Sequence, residues 1–225
     1  MLPAGRVWVA AWLLAIALVA ITPRAIVADD LGLEVDSVED VGGAICVSYR
    51  VAEPFTPRLE ETLQRGMPAT VSFEVGLWKR RALWFDRLVF AIRSDHKVVY
   101  DDWRQAFRIR SGSNPPRDRS VRSFEALCEV LFTQSRLPVA ASSSLDSTAT
   151  YYASVRVTIK PVAPEDLGEI EDWLSGDKDS EQSTGLPDYL LGLAVSLSGL
   201  GERTEMEKGP KFVPARLSAA PATTE

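Results

Sequence analysis

Two periods of apolar residues divide the first third of the chain into strands and a helix. Residues 70–77 alternate between polar and apolar, and the apolar members are Val71, Phe73, Val75 and Leu77. A period of two predicts a strand with one buried face. Residues 53–67 before it predict a short helix, because Thr56 can cap its start and Gly66 can end it.

Similar strand patterns recur along the chain up to residue 162. They occupy residues 31–38, 43–51, 83–93, 98–110 and 151–162. The polar run Ser94–Lys97 is predicted to be a turn between two of them. Ser123 can cap a second helix over residues 124–132. Residues 136–150 are predicted to be mostly loop with at most one edge strand, because Pro138 lacks an N–H group.

These elements predict a mainly β fold. Six to eight short strands with intercalated helices are typical of a single antiparallel β-sandwich with two or three short helices, here spanning residues 31–176. The last helix of that range ends at Gly176. Residues 177–185 then form a polar linker, residues 186–200 an amphipathic C-terminal helix, and residues 202–225 a disordered tail.

Residues 1–28 indicate export. Arg6 precedes fifteen uninterrupted apolar residues, Val7–Ile21, and a small-residue exit ends at Ala28. A basic start, a short apolar centre and small residues at the exit are typical of a signal peptide. An uncleaved membrane anchor helix over residues 7–28 is the alternative, although it must accept a proline and an arginine within the span. In both cases the rest of the chain is exported.

Charge and cysteine content narrow the functional classes further. The 225 residues carry a formal net charge of −6, which argues against a nucleic-acid-binding protein. The two cysteines are Cys46, in a predicted strand, and Cys128, on the apolar side of a predicted helix. Both are expected to be small packing residues. A disulfide between them is the alternative, and it requires their Cα atoms to lie within bridging distance.

Residue types used in catalysis are sparse. The single histidine, His96, lies in the predicted polar turn and has no second histidine with which to hold zinc. Adjacent acids occur at Asp101-Asp102, Glu165-Asp166 and Glu171-Asp172. Neighbouring residues of a strand face opposite ways, and acids at a helix start are explained by the helix dipole. The sequence therefore predicts a non-enzyme with no catalytic residues, no metal site and no cofactor.

A cationic corner is the one candidate interaction surface. It consists of Trp78, Lys79, Arg80, Arg81 and Trp84. Cations beside aromatic rings can bind an anionic partner, such as a lipid head group or an acidic protein face. The simpler interpretation, which the pattern favours, is an exposed turn between two strands whose tryptophans pack along its flanks.

Several stretches of the chain together resemble a known family. They are "LEETLQRGMPATVSFEVGLWKRR", "VVYDDWRQAFRI", "SFEALCEVLF" and "YYASVRVTIKP" leading to "IEDWLSG". In this order they are similar to the bacterial envelope family catalogued as domain of unknown function 4390, over roughly residues 31–176. The resemblance implies a signal-bearing or membrane-anchored bacterial protein without an assigned activity. It also associates the chain with two-component sensor kinase systems.

These observations leave three functional hypotheses. The leading one is a non-enzymatic binding or accessory module in the periplasm, free or held at the inner membrane by residues 7–28. Its partner is expected to be an inner-membrane or other envelope protein, such as a sensor kinase. The second is a carrier that encloses a lipid or other apolar ligand between the sandwich and the helix at residues 186–200. The third is a glycan hydrolase that uses scattered carboxylates.

Overall fold

Alternating apolar residues form strands along most of the chain. The computed structural model describes residues 31–113, 115–161 and 202–217. In these ranges the strands are β1 (Leu33–Val41), β2 (Ala44–Val51), β3 (Ala69–Lys79), β4 (Arg87–Asp101), β5 (Ala106–Ser111), β6 (Asp118–Val121), β7 (Thr133–Ala141), β8 (Tyr151–Pro161) and β9 (Arg203–Phe212). The α-helices are α1 (Pro57–Gln64), α2 (Phe124–Phe132) and α3 (Pro214–Leu217), and a 3-10 turn covers Ser142–Ser144.

The strands pair in two antiparallel sheets. One sheet has the order β1-β2-β7, and the other has the order β6-β5-β4-β3-β8-β9. Each neighbouring pair of strands runs antiparallel. The prediction of a mainly β fold is therefore confirmed. β7 contains Pro138 and lies at the edge of its sheet, as the missing N–H group predicts.

One hydrophobic core joins the two sheets. On β3 and β8 the alternating residues predicted to share a face are all buried: Val71, Phe73, Val75, Leu77, Tyr151, Ala153, Val155, Val157 and Ile159. The smaller sheet contributes Ile45, Val47 and Tyr49 of β2 to the same cluster. The ring centroids of Tyr49 and Phe73 lie 5.9 Å apart, so the two sheets are in direct contact. Removing these side chains from water is the main force that holds the sheets together.

Both predicted helix starts are confirmed. Thr56 Oγ1 accepts a hydrogen bond from the backbone N–H of Leu59 at 3.2 Å. Ser123 Oγ accepts one from the backbone N–H of Ala126 at 3.1 Å. These side chains satisfy N–H groups that no carbonyl of the helix can reach, so each helix begins where the sequence predicts.

The polar run Ser94–Lys97 is not a turn, so that prediction is wrong. β4 continues through the run without a break and pairs there with β3. Its polar groups find partners inside the sheet: Ser72 Oγ donates to Asp95 Oδ1 at 2.5 Å. The chain reverses later, at residues 102–105, where Gln105 has a positive φ of 50°. A polar run can therefore form a strand when its side chains find hydrogen-bond partners on the neighbouring strand, and the run alone does not show those partners.

The prediction of a disordered tail over residues 202–225 is wrong for its first part. β9 extends the large sheet beside β8 and lies against β1. There the Glu205 carboxylate accepts hydrogen bonds from the N–H groups of Leu31 at 2.7 Å and Leu33 at 3.3 Å. β9 is an edge strand and most of its residues reach water, so its sequence is polar. Such a strand lacks the apolar period that would distinguish it from a disordered tail.

Several predicted segments lie outside the described residues. They are the signal or anchor helix of residues 1–28, the helix ending at Gly176, the linker 177–185 and the helix 186–200. Of the helices inside the described ranges, none is long and apolar enough to cross a membrane.

The long strands give the domain two ends. The described chain begins at Leu31, leaves at Pro161 and returns at Glu202, and all three lie where β3 begins. We call this the Leu31 end. At the opposite end, which we call the tip end, β3 turns back into β4. β3 has 11 residues and therefore separates the two ends by roughly 35 Å.

Candidate functional site

The loop between β3 and β4 exposes three consecutive large apolar side chains. Leu83, Trp84 and Phe85 are 91%, 77% and 95% exposed, and we call them the apolar tip. Isolated exposed apolar residues are normal on soluble proteins. A contiguous exposed apolar surface is instead typical of an interaction site. The apolar tip is therefore the most unusual surface in the described part of the chain.

A carboxylate closes the loop at its base. Asp86 Oδ1 accepts a hydrogen bond from the backbone N–H of Arg81 at 3.1 Å, and Asp86 Oδ2 accepts one from the Tyr152 hydroxyl at 3.1 Å. The backbone N–H of Arg80 also donates to the carbonyl of Thr150 at 2.9 Å. The hydrogen bond from Arg81 holds the pKa of Asp86 below its ordinary value. These contacts fix the loop to β8, so the apolar tip is presented on an ordered base.

Trp78 belongs to that base and not to the exposed surface. Its ring is stacked on Tyr152, with 6.4 Å between ring centroids and 6° between planes. Its Nε1–H donates to Ser154 Oγ at 2.8 Å. Gly76 leaves room for this arrangement, because a Cβ there would lie 3.0 Å from Trp78 Nε1 and 3.1 Å from Leu88 Cδ1. Trp78 thus has the packing role that the simpler sequence interpretation expects of both tryptophans. For Trp84, which is 77% exposed, that interpretation is wrong.

Cations surround the apolar tip. Arg80, Arg81 and Arg87 are exposed, and none of their side chains forms an ion pair with another described residue. Lys79 is different, because its Nζ lies 3.0 Å from Asp146 Oδ2. The contact with Lys79 is the main reason why the pKa of Asp146 lies well below its ordinary value, and hydrogen bonds from Thr148 lower it further. The positive charge next to the tip is therefore carried by the three arginines.

The structure divides the predicted cationic corner into two groups. Trp78 and Lys79 are engaged with neighbouring strands and loops, whereas Arg80, Arg81 and Trp84 are exposed. Sequence reasoning did not include three further exposed residues, which are Leu83, Phe85 and Arg87. The apolar character of Leu83 and Phe85 was the available signal for an interaction site, but apolar residues at these positions also fit the start of the next strand.

The inner face of β4 borders a small cavity. It has a volume of about 110 Å³ and is lined by Tyr49, Phe73, Val75, Ile92, Ser94, His96, Val130, Leu131, Gln134 and Leu137. Pockets for small-molecule ligands typically measure about 300–1,000 Å³. The cavity is therefore too small to enclose a lipid.

His96 lies at this cavity and not in a solvated turn. Its Nε2 is 3.3 Å from Ser94 Oγ, and its ring packs against Phe73 with 5.8 Å between centroids. Burial lowers the pKa of His96, while the nearby charge of Asp95 acts in the opposite direction. Ser94 is the hydrogen-bond partner of the ring among the described residues, and no described carboxylate orients the imidazole as in a catalytic triad.

Comparison with known proteins agrees with the resemblance seen in the sequence. A family model described as Domain of unknown function (DUF4390) matches residues 28–163, which is more than half of the chain. The chain belongs to the DUF4390 family. No curated protein and no solved structure matches it. The DUF4390 match contains the whole β3–β4 hairpin and ends before β9.

Both cysteines fall inside the DUF4390 match and are free, so the alternative of a disulfide is wrong. Cys46 is buried in β2 and Cys128 is half-buried on α2. Burial raises the pKa of both thiols, for Cys128 to about 11. A thiol with a raised pKa is protonated at neutral pH and is a poor nucleophile. These cysteines are packing residues, as expected.

Of the acidic pair Asp101-Asp102, the first member stabilises a turn. Asp101 is buried and accepts a hydrogen bond from the backbone N–H of Arg104 at 3.1 Å, and it lies 4.0 Å from Arg108. Asp102 is exposed. In the described ranges no group of three or more His, Cys, Asp or Glu residues could hold a metal ion. The acidic pairs at residues 165–166 and 171–172 lie outside those ranges.

Proposed function

We propose that this chain is an exported, non-enzymatic binding module of the bacterial cell envelope, and that the β3–β4 loop is its docking element. The observation that carries the proposal is the exposure of three consecutive large apolar side chains at Leu83, Trp84 and Phe85. Full burial of one such side chain contributes about 1.5–3 kcal/mol. In the free protein these side chains are in water and make no such contribution. Contact with an envelope component would bury them and so favour binding.

The ordered base of the loop supports a binding role. Asp86 joins Arg81 to Tyr152, and Tyr152 is in turn stacked on Trp78. A loop that is already ordered loses little conformational entropy when it binds. The packing of two antiparallel sheets on one core supports a sandwich-like body that carries the loop on rigid strands.

Export is part of the proposal because of the pattern of residues 1–28. A basic start, an apolar centre and a small-residue exit favour a location in the periplasm, either free or anchored at the inner membrane. The proposed partners are components of that compartment, and an inner-membrane sensor kinase is one of them. Carriage of a lipid gains no support from the cavity at His96, which is too small.

A photo-crosslinking experiment in intact cells tests the docking role. A photoreactive amino acid is placed at position 83, at the tip, and in a separate variant at position 103. Trp103 is 99% exposed at the Leu31 end and is therefore a matched control. We expect position 83 to form an adduct with protein or lipid that position 103 does not form. Equal adduct formation at both positions, or none at either, would contradict the proposal.

A further inference from the structure

We propose that the apolar tip inserts into an anionic lipid surface, with the neighbouring arginines contacting the lipid phosphates. This inference rests on the proposed function, because it names the component that the loop binds. Three observations support it: the shape of the loop, the charges around the loop, and the hydrogen bonds that hold the base of the loop in place.

The shape of the loop favours a lipid surface over a protein groove. Leu83, Trp84 and Phe85 lie in the loop that joins β3 to β4 and are 91%, 77% and 95% exposed, so this loop is convex and offers no groove. A typical stable protein–protein interface buries about 800 Å² on each partner and needs a complementary surface. A fluid bilayer accepts a convex apolar loop without a preformed pocket. Tryptophan is also enriched at the boundary between lipid head groups and acyl chains.

The charges nearest the tip favour anionic lipids. Arg80, Arg81 and Arg87 are exposed at the base of the loop, and none forms an ion pair with another described residue. The nearest acids are engaged by the protein. Asp86 accepts hydrogen bonds from Arg81 and Tyr152, and Asp146 contacts Lys79. Both carboxylates stay charged, but the cations Lys79, Arg80, Arg81 and Arg87 outnumber them, so the net charge around the tip is positive.

More cations lie on neighbouring elements at the tip end. Lys208 and Lys211 are exposed on β9, and the Lys208 ammonium lies 5.6 Å from the centroid of the Tyr152 ring. Arg216 of α3 is exposed beside the loop that contains Ser147, whose carbonyl accepts the N–H of Ala215. The whole chain has a net charge of −6. An anionic surface therefore repels the molecule on average and attracts this end, which sets the orientation of binding.

The position of the tip restricts which lipid surface it can reach. Leu31, Pro161 and Glu202 all lie at the other end of β3, roughly 35 Å away. A chain held in a membrane by residues 7–28 would present the tip away from that membrane. The tip would then reach a second lipid surface, or any lipid surface once the N-terminal segment is cleaved. Residues 162–201 are attached at the Leu31 end, which does not favour their covering the tip, whereas residues 218–225 follow α3 at the tip end.

Tryptophan quenching by lipid provides a direct test. The full-length protein, purified from the envelope, is mixed with vesicles whose acyl chains carry bromine, a short-range quencher. One set contains phosphatidylcholine alone and the other contains added phosphatidylglycerol. We expect quenching with the anionic set, and we expect Trp84→Phe to remove most of the added quenching while Trp103→Phe leaves it unchanged. Unchanged quenching in Trp84→Phe would overturn the proposal.

Binding measurements separate the apolar from the electrostatic contribution. Replacing Leu83 and Phe85 by serine should lower the vesicle partition constant at least tenfold. Replacing Arg80, Arg81 and Arg87 by glutamine should lower it for anionic vesicles and reduce its dependence on salt. Equal binding to neutral and anionic vesicles would overturn the anionic part of the proposal.

The cellular crosslink distinguishes failure of this inference from failure of the proposed function. A tip that crosslinks to a protein in cells, with no quenching by bromolipid, overturns lipid insertion and leaves the binding module intact. A crosslink to residues 162–201 or 218–225 of the same chain overturns both, because the tip would then be covered by its own chain. Absence of both crosslink and quenching also overturns both.

Discussion

The two hairpins at the ends of β4 both expose a tryptophan, but only one exposes an apolar surface. Trp103 is 99% exposed at the Leu31 end, where one acidic and one basic residue flank it. Trp84 is 77% exposed, and its neighbours Leu83 and Phe85 are more exposed still. An exposed aromatic side chain is therefore not in itself a sign of a binding site. Trp84 differs from Trp103 in having exposed apolar neighbours and positive charge around it, and these features indicate a binding site.

In each hairpin an aspartate accepts a backbone hydrogen bond, but one aspartate is buried and the other is partly exposed. Asp101 is buried and lies between Arg104 and Arg108, the second of which has a side chain only 12% exposed. Asp86 is partly exposed to solvent and accepts one backbone N–H and one hydroxyl hydrogen bond. The aspartate of the Trp103 hairpin thus compensates the charge of a mostly buried arginine, Arg108. The tip loop is held by contacts that leave its apolar residues free to bind.

The largest effect is expected from Asp101→Asn at the Trp103 hairpin. The substitution leaves Arg108 in a mostly buried site with less compensating charge, although Asp118 still lies 3.7 Å away. Loss of hydrogen bonds to a charged group costs about 1.5–3 kcal/mol, so unfolding in urea should occur at a clearly lower concentration. Asp102→Asn, one residue further and exposed, is the matched control and should have little effect. Equal effects of the two substitutions would contradict the difference drawn between the hairpins.

The next largest effect is expected from Gly76→Val at the tip end. The new side chain would press against Trp78, Leu88 and Ser154, which lie 3.0–3.2 Å from a Cβ at this position. Overpacking of this kind costs about 1–3 kcal/mol and should displace the Trp78 ring from Tyr152. Urea unfolding and near-ultraviolet circular dichroism measure the two effects. Gly76→Ala should give a smaller change of the same sign, and a stabilised variant would show that the ring has room to move.

Most of the fold was predictable because its strands have one buried face. The alternation of β3 and β8 and the caps Thr56 and Ser123 are local signals, and the structure confirms them. β9 and the centre of β4 are polar strands whose stability comes from partners distant in sequence. Local pattern does not contain that information.

The candidate site was only partly predictable for the same reason. Arg80, Arg81 and Trp84 stand out in the sequence, but Leu83 and Phe85 have the composition of a strand that starts at residue 83. The structure starts β4 at Arg87 instead, after Asp86 has closed the loop. Exposure of the apolar tip therefore depends on a contact between Asp86 and β8, which the sequence of the loop does not reveal.

Tyr152→Phe tests how the tip loop is held. The substitution removes the hydroxyl that donates to Asp86 Oδ2 at 3.1 Å, which should cost about 1 kcal/mol or less in the free energy of unfolding. It should also raise the pKa of Asp86 toward its ordinary value, because a hydrogen bond to the carboxylate is lost. An NMR titration of the Asp86 side chain measures this shift. Tyr100→Phe, at the other end of β4, should leave that pKa unchanged.

His96, between the two hairpins on β4, should make stability depend on pH. Burial lowers its pKa in the folded state from the ordinary 6.5, although Asp95 opposes the shift. The unfolded chain therefore binds more protons as the pH falls below about 6.5, and the free energy of unfolding decreases until the folded-state pKa is passed. His96→Phe should remove this part of the pH dependence. Urea unfolding between about pH 7 and pH 5 measures it, and identical slopes for the two proteins would contradict the prediction.

The smallest effect on stability is expected at the apolar tip, where the effect on binding should be largest. Replacing Leu83, Trp84 and Phe85 together by serine removes side chains that contact water more than protein, so the free energy of unfolding should stay within about 0.5 kcal/mol. Trp103→Ser should be equally neutral, because its side chain is 99% exposed. Urea unfolding of both variants checks this, since residues kept for packing would destabilise the fold when removed. A loss of well over 1 kcal/mol at the tip alone would show that the tip supports the fold, and its exposure could then no longer be explained by binding.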